Sequence, residues 1–153
     1  MLYGLALLAG VVAGSRVFTA IAAVSWAAKL GALNLDGSWL AFMGYAWTPW
    51  IFTVLAIVEL ITDQLPSTPS RKVPMQFGAR IISGALSGAT IGVAAGSWIG
   101  GLIAGVIGAV AGTFGGAEIR SQMAKAFGRD QPAAFIEDAA AIILGLIIIW
   151  ALR

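Results

Sequence analysis

The sequence predicts an all-α bundle embedded in a membrane, and three features carry that expectation. Hydrophobic residues make up 59% of the chain and charged residues only 10%, against about 25% charged in an ordinary soluble domain. The 37 residues from Ile81 to Ala117 contain no charge. As one helix they would be about 55 Å long, nearly twice the roughly 30 Å hydrocarbon core of a bilayer, so they must fold back on themselves. Tryptophan and tyrosine gather at Trp39, Tyr45, Trp47 and Trp50, as amphipathic rings do at the headgroup level.

About five spans are expected within a single domain, at 2–30, 48–64, 74–95, 99–122 and 132–153. The first is longer than one crossing and is interrupted by Gly14-Ser15-Arg16, so it is expected to be broken or tilted. Its apolar start lacks the Lys or Arg that opens a secretory leader and reads as helix of the mature chain. The aromatic stretch 31–48 is expected along the interface. Thr48-Pro49 is an N-cap and first-turn proline for the second span, and Pro66, Pro69 and Pro74 stiffen the loop that follows. A turn within Gly96-Ser97-Trp98-Ile99-Gly100-Gly101 makes spans three and four a hairpin. Ser121 to Gln131 reads as a polar linker, and Pro132 as the opening of span five.

Within the hairpin, Gly84, Gly88, Gly92, Gly96 and Gly100 recur every fourth residue, and Gly101/Gly105 and Gly108/Gly112/Gly116 repeat the spacing. Such small-residue stripes let helix backbones approach, which is how helices associate where no water drives them together. They predict close packing of spans three and four, or a seam between copies in a homo-oligomer.

The charges show a second regularity. Gly14-Ser15-Arg16 precedes a helix ending in Glu59, and Gly78-Ala79-Arg80 precedes one ending in Glu118. This is the pattern of two parallel copies of a two-helix unit, followed by a fifth helix carrying Glu137-Asp138. The hairpin geometry brings Arg80 and Glu118 to one depth as an expected ion pair. Arg16 is expected to be buried against a carboxylate, first Glu59 or Asp63 and otherwise Glu137 or Asp138, because a guanidinium cannot shed its charge in an apolar segment.

Several chemistries are excluded. With no His and no Cys, the chain has no disulfides, no imidazole or thiolate metal ligands and no Ser-His-Asp triad. Glu137-Asp138 and Glu59/Asp63 are the remaining carboxylate pairs, and they carry no recognised metal or phosphate motif, so the metal question stays open and no cofactor is required. The longest basic run is Arg71-Lys72 and the net charge only +2, which argues against nucleic acid. Arg71, Lys72, Arg120, Lys125 and Arg129 follow even-numbered spans, so the positive-inside rule places the N-terminus in the cytoplasm.

Taken together, Gly14-Ser15-Arg16 with a following Thr19, Glu59-x-x-x-Asp63 with Pro66, Phe77-x-x-Arg80 and Glu137-Asp138 resemble the bacterial membrane-protein family called domain of unknown function 4126. The resemblance spans nearly the whole chain and implies a compact multi-span bundle in a bacterial inner membrane, without an activity. From the residues, two functional classes compete, with an intramembrane enzyme using the Glu137-Asp138 and Glu59/Asp63 carboxylates to hold Mg²⁺ and a phosphate ester as a third. One is a small transporter or channel in which Arg16, Glu59, Asp63, Arg80, Glu118, Glu137 and Asp138 form a buried polar constellation for an ion or small solute. The alternative is a non-enzymatic structural or lipid-binding membrane protein in which the same charges lock the packing and membrane lipids are the partners.

Overall fold

The computed structural model describes residues 1–62 and 74–153. Six α-helices and a single 3-10 turn at Ala41–Gly44 account for most of them: α1 Leu2–Ser15, α2 Val17–Lys29, α3 Thr48–Thr62, α4 Pro74–Ala94, α5 Trp98–Phe127 and α6 Asp130–Leu152. No strand occurs among the described residues. Three helices, α4, α5 and α6, are long and apolar enough to cross a membrane. Asp63, Pro66, Pro69, Arg71 and Lys72 lie outside the described residues.

The first apolar segment breaks at one residue. Arg16 has extended backbone angles, φ −139° and ψ 112°, and its N–H closes the last bond of α1 on Val12 O. Side-chain contacts give the sense of every helix. The Tyr3 ring lies against Gly100, whose added Cβ would fall 2.9 Å from Tyr3 Cε1, while Gly14 lies against Ala109 and Gly112, so α1 runs parallel to α5. Thr19 and Ala23 of α2 lie beside Gly145 of α6, while Arg16 bonds Asp138, so α2 runs parallel to α6 and back along the bundle. The segment expected as one span is therefore a helix-break-helix that turns back. Its arms of 14 and 13 residues are about 21 and 20 Å long.

Consequently Met1, the loop after α2 and the α4–α5 turn share one end, where Trp39 packs edge-on against Trp98 with ring centroids 5.5 Å apart. The break at Arg16 lies partway toward the other end, where the α5–α6 turn is: Gly14 packs on Ala109 and Gly112, and α5 runs on for about 20 Å beyond them to Phe127. The loop between α2 and α3 covers the first end: Leu33, Leu35, Leu40 and Met43 are buried in the common core, and Ser25 donates to Met43 O.

Helix α5 forms the centre, with α1 and α4 packed on it most extensively. Glycine makes this approach possible. A Cβ on Gly88 would lie 2.8 Å from Gly105 Cα, one on Gly84 2.7 Å from Ala109 Cβ, and one on Gly92 2.9 Å from Gly101 Cα. Further along the same stripe, a Cβ on Gly108 would lie 2.9 Å from Val11 N and one on Gly112 2.8 Å from Val11 Cα. These contacts are made within one chain, with Gly10 and Gly14 of α1 as further participants. Gly96 stands apart from them: it is the turn residue, at φ +91°, followed by Ser97, whose side chain caps α5 by accepting from Gly100 N.

Two boundaries differ from expectation. Ser121 to Phe127, read as linker, continues α5 because Gln122, Met123, Ala124, Lys125 and Ala126 are all good helix formers; the helix ends where Gly128 takes a left-handed conformation at φ 75°. Helix α6 begins at Asp130 rather than Pro132, which costs no helical hydrogen bond because amides of the first turn have no intrahelical acceptor.

Gly88→Ala is expected to lower stability by about 1–3 kcal/mol or more, since its methyl group meets backbone that cannot rotate away. Gly78→Ala has nothing within 4 Å of the new Cβ and is expected to leave stability unchanged or raise it by up to about 1 kcal/mol. Thermal unfolding of the purified variants in detergent checks this order.

Candidate functional site: a charged cluster around a helix break

A broken helix exposes two sets of unpaired backbone groups, carbonyls at the end of one piece and amides at the start of the next. Here each set meets the opposite charge. The carbonyls of Gly14 and Ser15 accept from Arg80 Nη1 at 3.1 and 2.7 Å. The amides of Val17 and Phe18 donate to Glu59 Oε2 and Oε1 at 3.1 and 3.2 Å. The cation thus sits at the negative pole of α1 and the carboxylate at the positive pole of α2. Ser83 of α4 adds a bond of 2.7 Å to Val17 O.

The Arg16 side chain, fully buried, leaves the break toward α6. Its Nε donates to Asp138 Oδ1 at 2.7 Å, its Nη2 bonds the same oxygen, its Nη1 donates to Ser15 O at 2.9 Å, and Glu137 Oε1 lies 3.8 Å away. Glu137 joins this core to α5: it accepts from Ser15 Oγ at 2.9 Å and from Arg120 Nη1 at 3.3 Å. All six helices thus meet around one residue's departure from helical geometry. Arg16, Arg80 and Arg120 are balanced in the cluster by Glu59, Glu137 and Asp138.

The structure brings together Arg16, Glu59, Arg80, Glu137 and Asp138 of the expected constellation. Asp63 lies outside the described residues. Among the described carboxylates Arg16 takes Asp138, one of its expected alternatives, because the Glu59 oxygens face the amides that the break itself frees; its pairing with Asp63 lies outside the described residues. Arg80 takes backbone carbonyls in place of Glu118, which is exposed on α5 and accepts from Gln122 Nε2 at 3.0 Å. Arg80 and Glu118 thus do not repeat the roles of Arg16 and Glu59. Arg120 and Ser15 were missed as members of the cluster; Arg120 is 17 positions from Glu137, and no local spacing signals that contact.

Beside the cluster lies a cavity of about 380 Å³ between α1, α5 and α6. Val11 and Val12, Gly115 and Ile119, and Ile136 and Leu144 form its apolar walls, while Ser15, Arg120 and Glu137 supply its polar end. Among the described residues no three carboxylates converge as a metal site.

Comparison with known proteins gives no match to a protein family, to a characterised protein or to a solved structure. The chemistry of the cluster therefore has to be argued from its own geometry. Its carboxylates face guanidinium groups and backbone amides, an arrangement that neutralises charge.

Glu59→Gln keeps the size of the side chain but leaves one acceptor oxygen for two amides, so a loss of about 1–3 kcal/mol is expected. Glu118→Gln, on the exposed face, is expected to change stability by less than about 0.5 kcal/mol. Equilibrium unfolding of the two variants side by side is the measurement.

Proposed function

We propose that the protein is a non-enzymatic, multi-pass membrane protein of the structural or lipid-binding kind, in which the charged cluster locks a re-entrant helix pair into the bundle. Supporting this reading is the complete burial of Arg16 among Asp138, Glu137 and Ser15 O. Non-helical backbone survives at membrane depth only where protein surrounds it or water reaches it; protein surrounds this break. Arms of about 20 Å fall short of a roughly 30 Å core, so α1 and α2 dip in and return, while α4, α5 and α6 cross. Membership of the domain of unknown function 4126 family belongs to the same proposal and rests on the short motifs around Arg16, Glu59, Arg80 and Glu137.

The same fold changes the orientation argument. With helices alternating in sense, both termini share an end with the α4–α5 turn, and the basic residues Lys125 and Arg129 lie at the opposite end. Keeping that basic end in the cytoplasm turns the N-terminus outward, the reverse of the assignment from five crossings. The chain has no cysteine, so single replacements report topology directly: Asp36→Cys and Arg153→Cys should be labelled from one side of the membrane and Lys125→Cys from the other.

A second reading, passage of an ion or small solute, is favoured by the break itself, because discontinuous helices place backbone dipoles at substrate sites in transporters. One experiment separates the two. Arg16→Ala and Asp138→Ala should each cost about 3–5 kcal/mol as the abandoned charge is left buried, and the double variant should recover much of the loss. Under the lock reading, ion flux into liposomes containing wild-type protein stays at the protein-free level. Flux through the wild type that disappears in folded Arg16→Ala protein would establish transport instead.

A further inference from the structure

We infer that α3 crosses the membrane through a patch of thinned bilayer, about 22 Å of hydrocarbon where α5 meets about 30 Å, so that its lipid-facing side fits lipids with short acyl chains. This rests on the reading of the chain as a membrane-embedded bundle with a re-entrant first helix pair, and beyond that on three observations. The first is parity. Helices α4, α5 and α6 are the three that are long and apolar enough to cross. Helix α4 ends beside the start of α5, where Gly92 lies against Ser97 and Gly101, so it begins at the end opposite Met1. The three crossings therefore lead from the start of α4 to Arg153, and with α1 and α2 turning back the passage from Met1 to α4 is still missing. Helix α3 supplies it: Trp50 near its start packs edge-on against Trp26 near the end of α2, with ring centroids 5.0 Å apart, and Glu59 near its end accepts from Val17 and Phe18 at the break.

The second observation is length. Helix α3 has 15 residues, Thr48–Thr62, and reaches about 22 Å, about 8 Å short of a roughly 30 Å core. Its flanks do not lengthen the apolar run: Tyr45 and Trp47 precede it and Asp63-Gln64 follow it in the sequence, and such aromatic and polar residues favour the headgroup layer. On α5, by contrast, the chain from Trp98 to Ala117 is uncharged and spans about 30 Å.

The third is that α3 is fixed in height and open to lipid. Trp26 Nε1 donates to Thr53 Oγ1 at 2.8 Å, and Glu59 holds the break amides at 3.1 and 3.2 Å, so α3 is tied to α2 toward both ends and cannot slide. Pro49 and Ala56 are its buried residues, whereas Trp50, Ile51, Val54, Ile57, Val58 and Ile61 are exposed and meet lipid directly. A helix too long for the bilayer tilts, but tilting a short one reduces its reach further. The lipid gives way instead, at a modest cost for each ångström.

The test uses the full chain in phosphatidylcholine liposomes and single cysteines, since the sequence has none. Trp47→Cys and Thr62→Cys mark the two ends of α3, and Ile103→Cys marks the lipid-facing interior of α5, all at exposed positions. A uniform core of roughly 30 Å cannot leave both ends of α3 in water. With a charged maleimide on both sides of the membrane, both end positions should react at least about tenfold faster than Ile103→Cys, because the reacting thiolate is suppressed in hydrocarbon. A fluorophore on Val54→Cys should be quenched about twofold more than one on Ile107→Cys by brominated short-chain lipid mixed into long-chain bilayers, as recruitment of matching lipid requires. Protection of either end of α3, or equal quenching at the two positions, would overturn the thin patch. Labelling of Asp36→Cys, Arg153→Cys and Lys125→Cys reads the overall orientation separately, so either result leaves that reading, and the lock, to their own experiments.

Discussion

One extended residue governs the arrangement of this molecule. When Arg16 leaves the helical conformation, two carbonyls and two amides lose their intrahelical partners in a stretch of chain with little else to hydrogen-bond them. An unsatisfied group of this kind costs several kcal/mol away from water, more than any single packing contact returns. Arg80 and Glu59 answer the two poles, and their positions fix α4 and α3 against the break. Arg16 itself, carried to the outside of the kink, demands a carboxylate and so fixes α6. The polar core is small, but it determines which helices are neighbours.

Glycine supplies the complementary, apolar half of the design. Helix α5 presents one stripe of glycines, Gly101 and Gly105 to α4 and Gly108 and Gly112 to α1, so two helices reach its backbone at successive levels. Where transfer from lipid to protein gains little for an aliphatic side chain, dispersion between closely approaching backbones and weak Cα–H to carbonyl contacts do the holding. The polar cluster specifies the order of helices, and the glycine faces bring them within reach of one another.

Much of this was legible in the sequence, and the limits have physical causes. Composition and the uncharged run 81–117 announce apolar helices that fold back, and the glycine spacing marks the faces of α4 and α5. Gly10 and Gly14 have the same four-residue spacing, but two glycines in an Ala-, Val- and Leu-rich helix do not mark a packing face as a longer ladder does. Arg16 was conspicuous as a lone charge in an apolar segment. That it would reverse the chain was not visible, because a break and a tilt look alike in composition, and the direction of α2 is decided by its contacts with α6 more than a hundred residues later. The Arg80–Glu118 pairing failed for a related reason: equal depth on a hairpin says nothing about which way each side chain faces, and the carbonyls that claim Arg80 exist only because another helix breaks.

The separation of Arg16 from Asp138, 122 positions along the chain, bears on how such a molecule is made. A nascent chain emerges from its N-terminus, so the first helix pair is synthesised long before the helix that satisfies its central charge. Until α6 has been made, the Asp138 carboxylate that Arg16 bonds does not yet exist. Closing contacts over such long stretches of sequence is entropically slow. The Arg16–Asp138 bond therefore waits on the synthesis of α6.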